Sequence, residues 1–215
     1  MRLYEKHRPA TLEEVVGHEE AKRQIGIALR SGWGSKSFWI SGPSGTGKTT
    51  LARIIAGVGA SGMFVQEYDS ADVVTADVLS EIEYAMHFYG GGKGGRAYII
   101  NEAHGLRGTI VRRLLGVLER LPGHVVFLFT TTQHGQKHLF DRQIDASPLL
   151  SRCIHVELAK NDRLVRAFAK RCQEIAQAEN LDGQAFGAYL ALANRYQGNF
   201  RMMLQAVESG EMLEG

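Results

Sequence analysis

Five short apolar runs punctuate the chain, at 38–40, 63–68, 97–100, 124–130 and 153–158. Each is short enough for a strand and rich in β-branched or aromatic residues. Between them apolar residues recur every three to four positions. Leu106, Ile110, Leu114 and Leu118 make one stripe, widened by Val111 and Leu115. Val78, Leu79, Ile82, Ala85 and Met86 make another. Apolar strands separated by amphipathic helices predict an α/β arrangement around a buried parallel sheet of five strands. After Leu158 the strands stop. Leu164, Val165, Phe168, Cys172 and Ile175 share a helical face. Phe186, Tyr189, Leu190 and Ala193 share a second, and Met203, Leu204 and Val207 a third. The pattern predicts an α/β domain over 1–158 and a small three-helix domain over 159–215.

Composition narrows the class. The 215 residues carry 25 Lys and Arg against 23 Asp and Glu, a formal charge of +2, too mild to imply nucleic acid by itself. Two cysteines, Cys153 and Cys172, exclude a disulfide framework and a four-cysteine zinc site, and fit a reducing cytosol. No apolar run approaches the ~20 residues a membrane span needs, and the charged first eleven residues have no signal-peptide core. These features predict a cytoplasmic protein. Glycine is abundant, at 25 residues. One cluster, Gly90-Gly91-Gly92-Lys93-Gly94-Gly95, reads as a flexible connection between a helix and a strand.

A second glycine cluster carries chemistry. Gly42-Pro43-Ser44-Gly45-Thr46-Gly47-Lys48-Thr49 fits the phosphate-binding pattern G-x-x-x-x-G-K-[ST], and it lies between a predicted strand and a predicted helix over 50–56, as the motif requires. Backbone N–H groups and the helix N-terminus favour anionic oxygens. Lys48 adds a point charge for the β- and γ-phosphates, and Thr49 a hydroxyl for Mg²⁺. The third strand ends in Asn101-Glu102 and resembles a Walker B segment, in which an Asp serves the Mg²⁺ shell and a Glu activates water. Asn101 stands where the Asp is expected. Glu102 is the candidate general base, and loss of the negative charge at 101 predicts slow turnover.

Together these motifs resemble the AAA+ ATPases, and within them the clamp-loader clade: the small subunits of replication factor C and the bacterial DNA polymerase III gamma/tau motor. Tyr4-Glu5-Lys6-His7-Arg8-Pro9, with Thr11-Leu12 and Val15-Val16-Gly17, is similar to the segment that clasps adenine in that clade. The resemblance implies that Arg8, Pro9, Val15, Val16 and Thr50 join the 42–49 loop in binding ATP. It puts Thr132, with Thr131 beside it, at the sensor 1 position. Ser151-Arg152-Cys153 resembles the clade's Ser-Arg-Cys motif, whose arginine reaches a neighbouring subunit's ATP. Gly198-Asn199-Phe200-Arg201 resembles the sensor 2 signature, with Arg201 closing the lid over the phosphates.

The implied fold is a P-loop AAA+ sheet followed by a helical lid. The implied activity is ATP hydrolysis with Mg²⁺ in DNA replication, foremost at a sliding clamp and primer–template DNA, with self-association or a hetero-oligomer formed through the ATP sites. The alternatives are a helicase loader, a branch-migration-type motor, or a weakly hydrolysing scaffold subunit. The zinc module of the bacterial motor has no counterpart, since 57–62 holds no cysteine. The third helical domain that joins clamp-loader pentamers has none within these residues either, so ATP-site contacts or a partner are expected to do its work. Arg107, Arg112, Arg113 and Arg120, and the basic group Lys160, Arg163, Arg166, Lys170 and Arg171, read first as solvated faces and second as phosphate contacts. His134, His138 and Asp141 have partial metal-ligand spacing but read as a polar loop, and Trp33 and Trp39 as packing residues.

Overall fold

The computed structural model describes residues 1–132 and 147–213; the 134, 138 and 141 trio lies outside them. Five strands form one parallel sheet: β1 (Lys36–Ser41), β2 (Ala60–Tyr68), β3 (Gly95–Ile100), β4 (Val125–Thr131) and β5 (Ile154–Glu157), in spatial order β2-β3-β4-β1-β5. The helices are α1 (Leu3–Lys6), α2 (Glu19–Arg30), α3 (Lys48–Gly59), α4 (Ala76–Ala85), α5 (Gly108–Leu118), α6 (Ser147–Leu150), α7 (Asp162–Ala178), α8 (Phe186–Arg195) and α9 (Phe200–Glu208). All five predicted strands are present, shifted by a few residues at their ends.

Strand alternation sorts the sheet into two covered faces. Trp39, Tyr98, Ile100, Val125, Phe127 and Phe129 pack under α4 and α5. Phe38, Ile40, Ala97, Ile99, Val126 and Leu128 pack under α2 and α3. Burial on both faces explains why the central strands read as continuous apolar runs rather than as alternating ones. Trp39 is buried, and Trp33 donates its indole N–H to the Ile55 carbonyl at 2.7 Å, so both tryptophans pack. Arg113 pairs with Glu83 and donates to the Ala76 carbonyl, tying α5 to α4.

A third apolar cluster joins α7, α8 and α9 around Phe168, Cys172, Tyr189, Met203 and Val207. Leu3 of the N-terminal helix is buried in this cluster rather than against the sheet. Two contacts hold that end in place: Lys6 Nζ lies 2.7 Å and His7 Nε2 2.6 Å from the Glu179 carboxylate, just past α7.

Candidate functional site

In a parallel sheet, ligands collect beyond the carboxyl ends of the strands. The register sets those ends side by side here: Ser41 of β1 pairs with Thr131 of β4, and Ile100 of β3 with Phe129. The chain leaving β1 is the 42–49 loop, the chain leaving β3 is Asn101-Glu102, and the chain leaving β4 is Thr132. Three segments far apart in sequence thus meet on one sheet edge.

The loop folds back on its own lysine. Lys48 is buried, and its Nζ donates to the carbonyls of Gly42 at 3.0 Å and Pro43 at 2.8 Å. Burial holds its ammonium below the ordinary lysine value, opposed by the charge of Glu102 and reinforced by that of Arg201. Thr46 Oγ1 also donates to the Pro43 carbonyl, at 2.8 Å, and Ser44 is exposed at the loop tip. Gly45 and Gly47 have φ of +72° and +103°, conformations that a side chain would strain. A Cβ on Gly45 would also lie 1.8 Å from Asn199 Oδ1.

Thr49 Oγ1 donates to Asn101 Oδ1 at 2.9 Å, and Thr130 Oγ1 donates to the same oxygen at 2.8 Å. Asn101 is buried, and its Nδ2 donates to Glu67 Oε1 at 2.9 Å. The carboxylate beside Asn101 is therefore Glu67, on β2; Asp72 instead accepts from Ser70 Oγ. Glu102 has φ of +50°, a conformation that costs a non-glycine residue of order 1–3 kcal/mol and is typical of functional turns. Its Oε2 lies 3.5 Å from Thr132 Oγ1 and 3.5 Å from His104 Nδ1. The oxygens of Thr49 and Asn101 fit a hard cation that keeps part of its water shell, while both Glu67 oxygens are engaged by Asn101 and Arg53. Among the described residues there is no group of three or more His, Cys, Asp or Glu side chains placed to hold a metal directly.

Beside the loop a cleft opens between the N-terminal segment and the helical cluster. Arg8, Pro9, Val15, Val16, Gly45, Thr46, Gly47, Thr50 and Arg201 line it, and so do Tyr4, His7, Phe168, Phe200 and Leu204. Flat and apolar side chains facing a phosphate loop suit a nucleobase. Arg8 is held by Glu5 and donates from Nη1 to Thr50 Oγ1 at 3.1 Å, and its hydrogen bond keeps the Glu5 carboxyl below its ordinary value. The Arg201 guanidinium stands 5.4 Å from the Tyr4 ring centre. On this side the Phe200 N–H donates to the Gly45 carbonyl at 3.1 Å, and His18 Nε2 lies 3.0 Å from the Thr46 carbonyl. Burial lowers the His18 value.

Arg152 lies elsewhere. Ser37, near the start of β1, donates to its backbone carbonyl at 2.7 Å. With ~3.3 Å of rise per strand residue, it is about 13 Å or more from its own phosphate loop. Its guanidinium pairs with Glu119 and donates to the Pro148 carbonyl at 2.8 Å. The structure thus gathers Lys48, Thr49, Asn101, Glu102 and Thr132 at one point, puts Arg8, Thr50 and Arg201 beside them, and leaves Arg152 on the opposite edge.

Phosphate loop, sheet order and helical lid define an AAA+ P-loop protein. A family model described as magnesium chelatase, subunit ChlI, matches residues 11–84. The curated homologues are DNA polymerase III gamma/tau subunits. The tau subunit of Escherichia coli is 30% identical over 240 aligned residues, covering 97% of this chain and 35% of the relative. That of Bacillus subtilis is 27% identical, covering 99% and 40%. The gamma/tau subunit of Mycobacterium tuberculosis is 31% identical over 157 residues, covering 62% and 27%. The chain thus spans well under half the length of these relatives. Among solved structures, the Thermotoga maritima RuvB Holliday junction branch migration motor superposes with a TM-score of 0.71 at 22% identity, covering 94% of this chain and 64% of that one, a likeness of fold.

Proposed function

We propose that this chain binds ATP with Mg²⁺ and hydrolyses it as a motor of DNA replication, working in the cytoplasm at a sliding clamp and primer–template DNA. One observation carries the catalytic part: Lys48, the Thr49–Asn101 pair and the Glu102–Thr132 pair converge on one sheet edge beside an apolar cleft. Phosphoryl transfer is catalysed mainly by positioning and by neutralising charge. In this reading Lys48 meets the β- and γ-phosphates, Glu102 accepts the proton of the attacking water, and Thr132 orients that water. Arg201 links the phosphates to the helices over 159–215, which move as a lid on the body over 1–158. Arg152 serves a neighbouring copy or a partner subunit, since it is too remote to reach its own site. Homology to the gamma/tau subunits supports the replication context.

The neutral Asn101 supports a second reading, in which the chain is a slowly hydrolysing scaffold. Steady-state ATPase measured alone, with primer–template DNA, and with a panel of sliding clamps separates the two. The motor reading expects hydrolysis stimulated by DNA and clamp, loss of ATP binding in Lys48→Ala, and retained binding without turnover in Glu102→Gln. Stimulation by branched DNA without clamp dependence would favour a branch-migration role, and normal turnover by Glu102→Gln would refute the assignment of the base.

A further inference from the structure

Asn101 is neutral, yet three partners hold its amide. Thr49 and Thr130 donate to its carbonyl oxygen, and its NH₂ donates to Glu67 Oε1. Arg53 in turn holds Glu67, with Nε 2.6 Å from Oε2 and Nη2 3.2 Å from Oε1. The two ends of an amide have nearly the same shape, so its partners decide which way it faces. The threonine hydroxyls cannot decide, because each can donate or accept. An ionised carboxylate can only accept. Glu67 is therefore the member that sets the polarity of the group. Reversed, Asn101 would turn its NH₂ toward Thr49, and the Thr49 oxygen would have to spend a lone pair on it.

We propose that Glu67 is a positioning residue: by accepting from the Asn101 NH₂ it aims the Asn101 carbonyl at the Thr49 hydroxyl proton, and so leaves the Thr49 oxygen free to face a divalent cation. The proposal rests on the reading of this edge as an ATP–Mg²⁺ site. It also makes the need for Glu67 conditional. An Asp at 101 has an acceptor at both ends and nothing to orient, so the role of Glu67 disappears with the amide.

The test is binding of a fluorescent ATP analogue titrated with Mg²⁺, using wild type, Glu67→Ala, Glu67→Gln, Asn101→Asp and the Asn101→Asp/Glu67→Ala pair. Residues that orient a metal's ligands are typically worth about 10-fold or more in metal affinity. Glu67→Ala should raise the Mg²⁺ concentration that half-maximally tightens binding by about that factor, with binding in the absence of Mg²⁺ unchanged. Glu67→Gln keeps an acceptor oxygen and should fall between wild type and Glu67→Ala. In the Asn101→Asp background Glu67→Ala should have little effect. An equal rise in both backgrounds would mean that Glu67 only braces the strand against Arg53, and would overturn the proposal, as would no rise in either. Wild-type binding that ignores Mg²⁺ altogether would overturn the underlying reading as well, which marks that failure apart from the other two.

Discussion

Gly45→Ala is expected to loosen the joint between the phosphate loop and the last helix. Two separate costs arise. A side chain at φ of +72° costs about 1–2 kcal/mol for backbone conformation alone. The new methyl would lie 1.8 Å from Asn199 Oδ1 and 2.4 Å from its Cγ, so the Asn199 side chain must move. That side chain caps α9 by accepting from the Met202 N–H at 3.2 Å, and losing such a cap costs about 1 kcal/mol. The sum is about 2–3 kcal/mol, or ~5–10 °C in melting temperature for a chain of this size. Gly47→Ala is the control. It has φ of +103° and nothing within 4 Å of an added Cβ, so it carries the backbone cost only. Asn199→Ala forfeits the cap in advance, so Gly45→Ala should cost ~1 kcal/mol less in that background. Thermal unfolding of the four proteins of this cycle, without nucleotide, measures the coupling. Additivity within ~0.5 kcal/mol, or a Gly45→Ala protein as stable as Gly47→Ala, would refute the contact as the source.

Arg152→Ala should bind ATP as wild type does and hydrolyse it poorly, by the ~10³–10⁵ that an arginine finger supplies. Mixing it with Glu102→Gln should restore activity, since a mixed interface pairs an intact base with an intact arginine; no recovery on mixing sinks the idea of a shared site. The N-terminal segment should release on acidification. Hydrogen bonds from Lys6 and then His7 hold the Glu179 carboxyl below its ordinary value, so its stabilisation is full above the unfolded-state value and is lost as pH falls through the lower folded-state one. Glu179→Gln should therefore melt below wild type at neutral pH, with the gap closing toward acid; a gap independent of pH would count against it.

What was legible in the sequence was local. The 42–49 loop and the Asn101-Glu102 pair are contiguous, and their chemistry is written in consecutive residue types. The strands were legible because burial on both faces leaves unbroken apolar runs. The second strand was read three residues short because Ala60, Ser61 and Gly62 give no strand signal, and its register against β3 shifts between Ala60 and Val65. That register also decides which acidic residue meets Asn101. Glu67 pairs with Ile99 and Tyr68 with Ile100, which brings the Glu67 carboxylate to the Asn101 NH₂. The cleft was legible on its N-terminal and loop side and, across from them, at Arg201. Phe168 and Leu204 enter it through tertiary packing, and a four-residue helix such as α1 has no periodicity from which its burial against α9 could be read.

The way the parts are joined bears on how nucleotide would act on the lid. The side chains of the candidate site stand at the ends of β1, β3 and β4, whose apolar residues are fully buried, so they have little freedom to move against one another. The helical cluster is held differently. It meets the loop through the Phe200–Gly45 bond and the His18 ring, which bonds Thr46 and lies edge-on to Phe168 at 6.0 Å. It also owns the N-terminal helix, through Leu3, while Arg8 five residues later is bonded to Thr50 on α3. The N-terminal segment is thus a strap with one end in the lid and the other on the phosphate-loop helix, and the cleft lies under it. Anything filling that cleft touches the strap, the loop and the lid at once. If nucleotide binds as proposed, lid position rather than the geometry of the sheet edge is the coordinate it is expected to shift.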